Sequence, residues 1–158
     1  MRVLFVCLGN ICRSPAAEGI FNHLIATHGL EKVVSCDSAG TSGYNEGDGA
    51  WPKMKNIAGK RGYRLTSISR RINPKHDFEH FDLIIGMDDQ NIKDLTRIAP
   101  TEEQKGKIRR MTDYCTRLGN TSVPDPYYGN DQDYELVLDI LEDACEGLIK
   151  RIGDQIVH

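Results

Sequence analysis

The stretch RVLFVCLGNICRSPAAEG, residues 2 to 19, constrains the fold more than any other part of the chain. After its first residue RVLFVC is continuously apolar, the pattern of a short strand buried on both faces of a parallel sheet. It stops at Cys7. Ser14 and Pro15 then open a helix whose apolar residues Ile20, Leu24 and Ile25 share a face up to Gly29. A strand that passes through so tight a loop into a helix is the first half of a β-α-β crossover, which points to an α/β architecture.

The rest of the chain repeats that alternation. VVSCDSAG (33 to 40) and DLIIGM (82 to 87) read as further strands. Asp88 or Asp89 caps a helix running through Leu95 and Ile98 to Pro100. A last helix, from about Gln132 to Arg151, sets Val137, Ile140, Leu141, Ala144 and Leu148 on one face. There are no repeats, low-complexity runs or obvious linkers, so the 158 residues are expected to form one domain, 1–158, with helices on both faces of the sheet. Ligands of such a fold sit at the carboxyl ends of the strands.

Composition narrows the function classes. No apolar run approaches the ~20 residues of a membrane span. Met1-Arg2 leads straight into the first strand without a cleavage site, so no membrane or export role is expected. Five cysteines, at 7, 12, 36, 115 and 145, are odd in number and scattered, which suits the reducing cytoplasm. A net charge of -3 argues against a sequence-independent grip on nucleic acid. The charge is nonetheless segregated. Eight basic and no acidic residues lie between Lys53 and Lys75, and eight acidic and no basic ones between Leu118 and Ile149. Either these are solvated faces, or a basic segment against an acidic helix, or the basic segment draws anionic substrates to a nearby site.

The loop after Cys7 carries the chemistry. Leu8, Gly9, Asn10, Ile11 and Cys12 turn the chain back into the amino end of the first helix, where backbone N–H groups and the helix terminus suit a tetrahedral dianion. Arg13 adds a planar fork matching two phosphate oxygens. The same field favours a thiolate at Cys7, so the nucleophile and the phosphate cradle are one object. Spacing alone is weak evidence: 5 cysteines and 11 arginines in 158 residues yield about a third of a chance Cys-x5-Arg match. Cys145 and Arg151 share the spacing, but inside a helical pattern whose N–H groups are already bonded.

Expelling a phenol from phosphate requires a proton from a positioned acid, worth roughly 10² to 10⁴ in rate. VPDPYYGND (123 to 131) supplies Asp125 between two prolines that stiffen its backbone, with Tyr127 and Tyr128 beside it. An ordinary Asp-Pro surface turn is the alternative.

Together, VCLGNICRSP, DSAGT and DPYYG resemble the low-molecular-weight protein tyrosine phosphatases in motif order and over essentially the whole length. The resemblance implies a four-stranded parallel sheet flanked by helices and a two-step hydrolysis of phosphotyrosine in proteins, without cofactor. Cys7 is then the nucleophile, Arg13 the phosphate ligand, and Asp125 the acid and later the base. Ser14 matches the hydroxyl that bonds the thiolate, and Asn10 the asparagine that holds the loop in its strained shape. Cys12 either fills space or, as the resemblance implies, forms a disulfide with Cys7 that switches activity off, while Cys36, Cys115 and Cys145 are read as structural. Trp51 either anchors the core or is the family's aromatic on the cleft rim, and Asp88 either caps its helix or faces the phosphate-binding arginine. Ser67 stands where some members carry a histidine, which leaves that part of the supporting network open. His76 and His80 have i, i+4 spacing but no third ligand, so no metal is expected. Arsenate reductases of the same fold need two further relay cysteines, for which the isolated remaining ones are poor candidates. The arginine-phosphatase branch typically has threonine where this chain has Ile11. A silent phosphotyrosine-binding module usually lacks the nucleophile or the acid.

Overall fold

A computed structural model describes residues 1–157. The buried run of RVLFVC forms strand β1 (Arg2–Cys7), and Arg13–Thr27 forms helix α1. Next come β2 (Ser35–Gly40), α2 (Pro52–Lys60), α3 (Pro74–His80), β3 (Leu83–Gly86) and α4 (Asp89–Ile98). A one-turn α5 (Glu102–Lys105), β4 (Ile108–Arg110), a 3-10 turn (Met111–Tyr114) and the long α6 (Asp131–Val157) complete the chain. The four strands pair in parallel, as the resemblance implied, and their order is β2-β1-β3-β4.

Period-two alternation along β1 divides the interior into two layers. Val3, Phe5 and Cys7 face a core shared with α1, α2 and α6, whereas Leu4 and Val6 face a smaller one with Phe78, Phe81, Ile84 and Leu95. Helices therefore cover both faces, and Cys7 emerges on the side of the larger core. Because β1 lies between β2 and β3, the chain leaves it in opposite directions around the sheet, which opens a crevice at its carboxyl end.

Several boundaries move for identifiable reasons. Val33 and Val34 lie before β2, in a turn closed by N–H groups of both onto the Leu30 carbonyl. α1 ends in a left-handed Gly29 with φ 66°, where the Leu30 N–H reaches back to the Ile25 carbonyl. α6 begins at Asp131 and continues well beyond Arg151.

Candidate active site

Loop direction follows from where its carbonyls go. Those of Cys7 and Leu8 accept the N–H groups of Thr41 and Ser42 at 3.0 Å, and that of Ile11 accepts the Trp51 N–H at 2.8 Å. The Gly9 carbonyl accepts the Ser69 hydroxyl at 3.0 Å and the Asn45 amide at 3.4 Å. In a planar trans peptide the next N–H points opposite to the carbonyl, so the amides of Leu8, Gly9, Asn10 and Cys12 turn inward. The Asn10 N–H donates to Cys7 Sγ at 3.3 Å. A phosphate-sized hollow of convergent donors is the result.

Asn10 is the only non-glycine residue with positive φ among the described residues, at 55°. Its side chain over-determines that strained position. Oδ1 accepts the Arg70 N–H at 3.0 Å, and Nδ2 donates to Ser14 Oγ at 2.8 Å and to Ser38 Oγ at 3.0 Å. Since Ser14 Oγ already accepts from Asn10, its own proton is free to point at Cys7 Sγ, 3.0 Å away. Ser38 in turn donates to Glu18 Oε1 at 2.6 Å. Burial raises the Glu18 carboxyl above its ordinary value, against the Ser38 hydrogen bond, which lowers it.

Arg13 is 3% exposed and held from two sides. Its Nη1 donates to Asp88 Oδ2 at 2.6 Å and to the Val123 carbonyl at 3.1 Å, while Nη2 lies 3.7 Å from Asp125 Oδ2. Burial alone pulls its pKa down, but negative charge at Cys7, Asp88 and Asp125 outweighs that and holds it above the usual arginine value. Burial also pushes the Cys12 thiol up to about 12, helped by charge on Cys7 and Asp125 and opposed by Arg13.

A cleft of about 360 Å³ collects Cys7, Leu8, Gly9, Ile11, Cys12, Arg13 and Asp125 with Tyr127 and Tyr128. Asp125 is half exposed and accepts the Tyr127 N–H at 3.1 Å, which aims its other oxygen at Arg13. Asn10 and Ser14 lie buried behind the loop rather than on the cleft wall, and reach a ligand only through Cys7 and the backbone. Trp51 is not on the wall either. Its N–H is bonded to Ile11 and its ring packs on Tyr127, centroids 4.8 Å apart, so it buttresses the tyrosine. The aromatic that lines the cleft from this region is Tyr44, 92% exposed, with Asn45 beside it. Both lie in SGYNEGDG, which carries no periodic signal, and sequence reasoning passed over them. Ser67 makes no side-chain hydrogen bond among the described residues, and Ser69 supports the loop instead. No disulfide joins Cys7 and Cys12 in this structure. The His76 and His80 rings stack at 5.0 Å, and no group of three or more potential metal ligands comes together among the described residues.

Residues 2–157 match the family model described as low molecular weight phosphotyrosine protein phosphatase. The chain is 39% identical over 157 residues to a low molecular weight protein-tyrosine-phosphatase of Streptomyces coelicolor, covering 98% of this chain and 95% of that one. It superposes on a protein tyrosine phosphatase of Entamoeba histolytica, solved with Hepes in the active site, with a TM-score of 0.95, 48% identity and 98% coverage of each chain. A Drosophila arginine phosphatase is also similar, with a TM-score of 0.89 and 30% identity, covering 96% of this chain and 98% of that one. The chain belongs to the low molecular weight phosphotyrosine protein phosphatase family.

Proposed function

We propose that this chain, acting as one domain over residues 1–158, hydrolyses phosphotyrosine in proteins through a phosphocysteine intermediate. The observation that carries the reading is the meeting, in one cleft, of a sulfur held by a hydroxyl and an amide, a buried guanidinium and a carboxylate. Cys7 Sγ attacks phosphorus in line, forming the S–P bond as the bond to the phenol oxygen breaks. The Arg13 fork and the inward amides of Leu8, Gly9, Asn10 and Cys12 hold the equatorial oxygens and the charge that develops on them. Asp125 gives its proton to the departing phenolate. It then takes one from the water whose oxygen attacks phosphorus and releases the sulfur.

Substrate choice follows from the walls. Leu8, Ile11, Tyr44, Tyr127 and Tyr128 offer apolar and aromatic surface on which a phenyl ring packs, whereas a guanidinium group would lose hydration against Ile11. The cysteine usage supports a reducing, cytoplasmic setting. No helix among the described residues is long and apolar enough to cross a membrane.

Parent, Cys7→Ser and Asp125→Ala proteins compared on a phosphotyrosine peptide, phosphoarginine and arsenate test the reading. Cys7→Ser should abolish hydrolysis of the peptide, and surviving activity would remove the nucleophile. Asp125→Ala should slow phenyl phosphate by roughly 10² or more while slowing nitrophenyl phosphate much less, because a better leaving group needs less protonation. Equal slowing of both would remove the acid role, and faster turnover of phosphoarginine would move the enzyme to the other branch.

Oxidation offers a second test. Peroxide converts a Cys7 thiolate to a sulfenic acid, and attack by Cys12 sulfur expels the hydroxyl as water and leaves a Cys7–Cys12 disulfide. Thiol mapping after peroxide treatment should find that bridge, with activity restored by dithiothreitol. A sulfinic acid at Cys7 with Cys12 still free would leave Cys12 as packing alone.

A further inference from the structure

Eight basic residues crowd Lys53 to Lys75, and the fold places six of them in two sets, Arg71 and Lys75 lying apart from both. Lys53, Arg61 and Arg70 are matched to carboxylates: Lys53 to Asp131, Arg61 to Glu135, Asp139 and Glu142, and Arg70 to Asp37 and Asp77. Lys55, Lys60 and Arg64 make no ion pair or side-chain hydrogen bond among the described residues. All three are exposed and line one groove of about 550 Å³ between α2 and the segment that follows it, together with Asn56, Gly59, Tyr63 and Thr66. No acidic residue lines it. The Glu142 carboxylate, which touches the lining residue Tyr63 through its hydroxyl at 2.5 Å, is already bonded to Arg61 at 2.5 Å. Three unneutralised cations around one depression create a positive potential with nothing inside the protein to satisfy it.

Its position ties it to the cleft. α2 follows Trp51, whose backbone N–H is bonded to the phosphate loop at Ile11, and at 1.5 Å per residue its nine residues end about 14 Å away. The other wall is anchored on α1, where a Cβ on Gly19 would strike the Leu65 side chain and the Arg64 carbonyl. Lys53, Asn56 and Lys60 share one helix face at i, i+3 and i+7. That face begins at the Gly129 carbonyl, 3.4 Å from Lys53 Nζ at the end of the loop bearing Asp125 and Tyr128, and runs towards the groove.

We propose that this groove docks an acidic segment of the protein whose phosphotyrosine occupies the cleft. The proposal rests on the phosphotyrosine reading above. An extended chain advances about 3.3 Å per residue, so carboxylates roughly four to six residues from the phosphotyrosine reach Lys55, Lys60 and Arg64. The groove selects among substrates that the cleft itself cannot distinguish.

The test compares two phosphotyrosine peptides, one with three glutamates at those positions and one with glutamines, on the parent and on Lys55→Gln/Lys60→Gln/Arg64→Gln. Three exposed pairs should give the parent roughly a tenfold preference in kcat/KM for the acidic peptide. It should be carried by KM and lost on raising sodium chloride. The triple variant should hydrolyse both peptides as the parent hydrolyses the neutral one, which also shows that it is folded. Equal kcat/KM for the two peptides in the parent, or a preference that survives in the triple variant, overturns the docking site. The same three residues retaining phosphatidylserine vesicles without any peptide preference would assign the groove to a lipid surface and overturn it equally. Failure of the parent on both peptides would instead strike the phosphotyrosine reading itself.

Discussion

Asp88 serves two partners with two oxygens. Oδ1 accepts the Asn91 N–H at 2.8 Å and caps α4, and Oδ2 takes the Arg13 guanidinium, so the two roles weighed for it are held together. Asp88→Asn keeps an oxygen for the cap but turns an amide N–H₂ towards Arg13, leaving a buried cation short of one acceptor. Stability should fall by about 1–3 kcal/mol in urea unfolding, and the inhibition constant of inorganic phosphate should rise roughly tenfold. Asp88→Ala should lose about 1 kcal/mol more, the worth of the cap. Equal losses would show that the cap contributes nothing. The meeting of Cys7, Arg13 and Asp125 in one cleft was legible because the chemistry proposed for each calls for the other two. Ser38, Ser69 and Glu18 were not, since a hydroxyl or carboxyl that supports a loop from another element has no local signature. Trp51 stayed open between two readings for a different reason: a lone tryptophan announces area, and only the fold shows that this ring packs on Tyr127.

Elements were readable where burial wrote a pattern. β1 and β3 are runs with no polar interior, and α4 carries a cap of its own. β4 has the sequence IRR, half-buried at one edge of the sheet, so only the family resemblance implied a fourth strand. α6 is tied to the chain ahead of the acid loop by contacts without a periodic signal. Gly147 lies where a Cβ would land on the Tyr114 carbonyl, so the close approach requires glycine despite its cost in a helix. One turn earlier, buried Asp143 accepts the N–H groups of Thr116, Arg117 and Leu118 at 3.0, 3.1 and 2.8 Å. Burial would raise this carboxyl, but those bonds, with the Arg117 guanidinium, hold it well below the ordinary aspartate value. Asp143→Asn replaces an acceptor by a donor facing backbone donors, and should cost about 3 kcal/mol in urea unfolding. Since 115–118 lead towards Asp125, the same variant should lower kcat on phenyl phosphate more than on nitrophenyl phosphate. A stable variant with unchanged kcat would show that the clamp does not position the acid.

Over the whole molecule the two blocks of opposite charge meet, because Lys53 and Arg61 reach the carboxylates of α6. That pairing of a basic segment with an acidic helix was one of the readings open from sequence, while the unmatched remainder became visible only once α2 and its following turn enclosed a groove. Titration is a second property summed over the chain. Burial pushes the thiols of Cys12, Cys36 and Cys145 upward, reinforced at Cys12 by charge on Cys7 and Asp125 and at Cys36 by Glu18. Each therefore keeps its proton in the folded chain after the unfolded chain has lost it. Their contribution is complete below the ordinary cysteine value of 9.0, and declines as pH rises from there towards the folded value, about 12 for Cys12. Each fully shifted group steepens the alkaline loss by about 1.4 kcal/mol per pH unit. Unfolding free energies from urea titrations at pH 8, 9.5 and 10.5 should bend downward above pH 9. Cys12→Ser, which removes one titrating group at nearly constant volume, should flatten the upper limb by about that slope. An unchanged slope in the variant would mean that the Cys12 thiol titrates alike in the folded and unfolded chains, and that burial within the phosphate loop does not hold its proton.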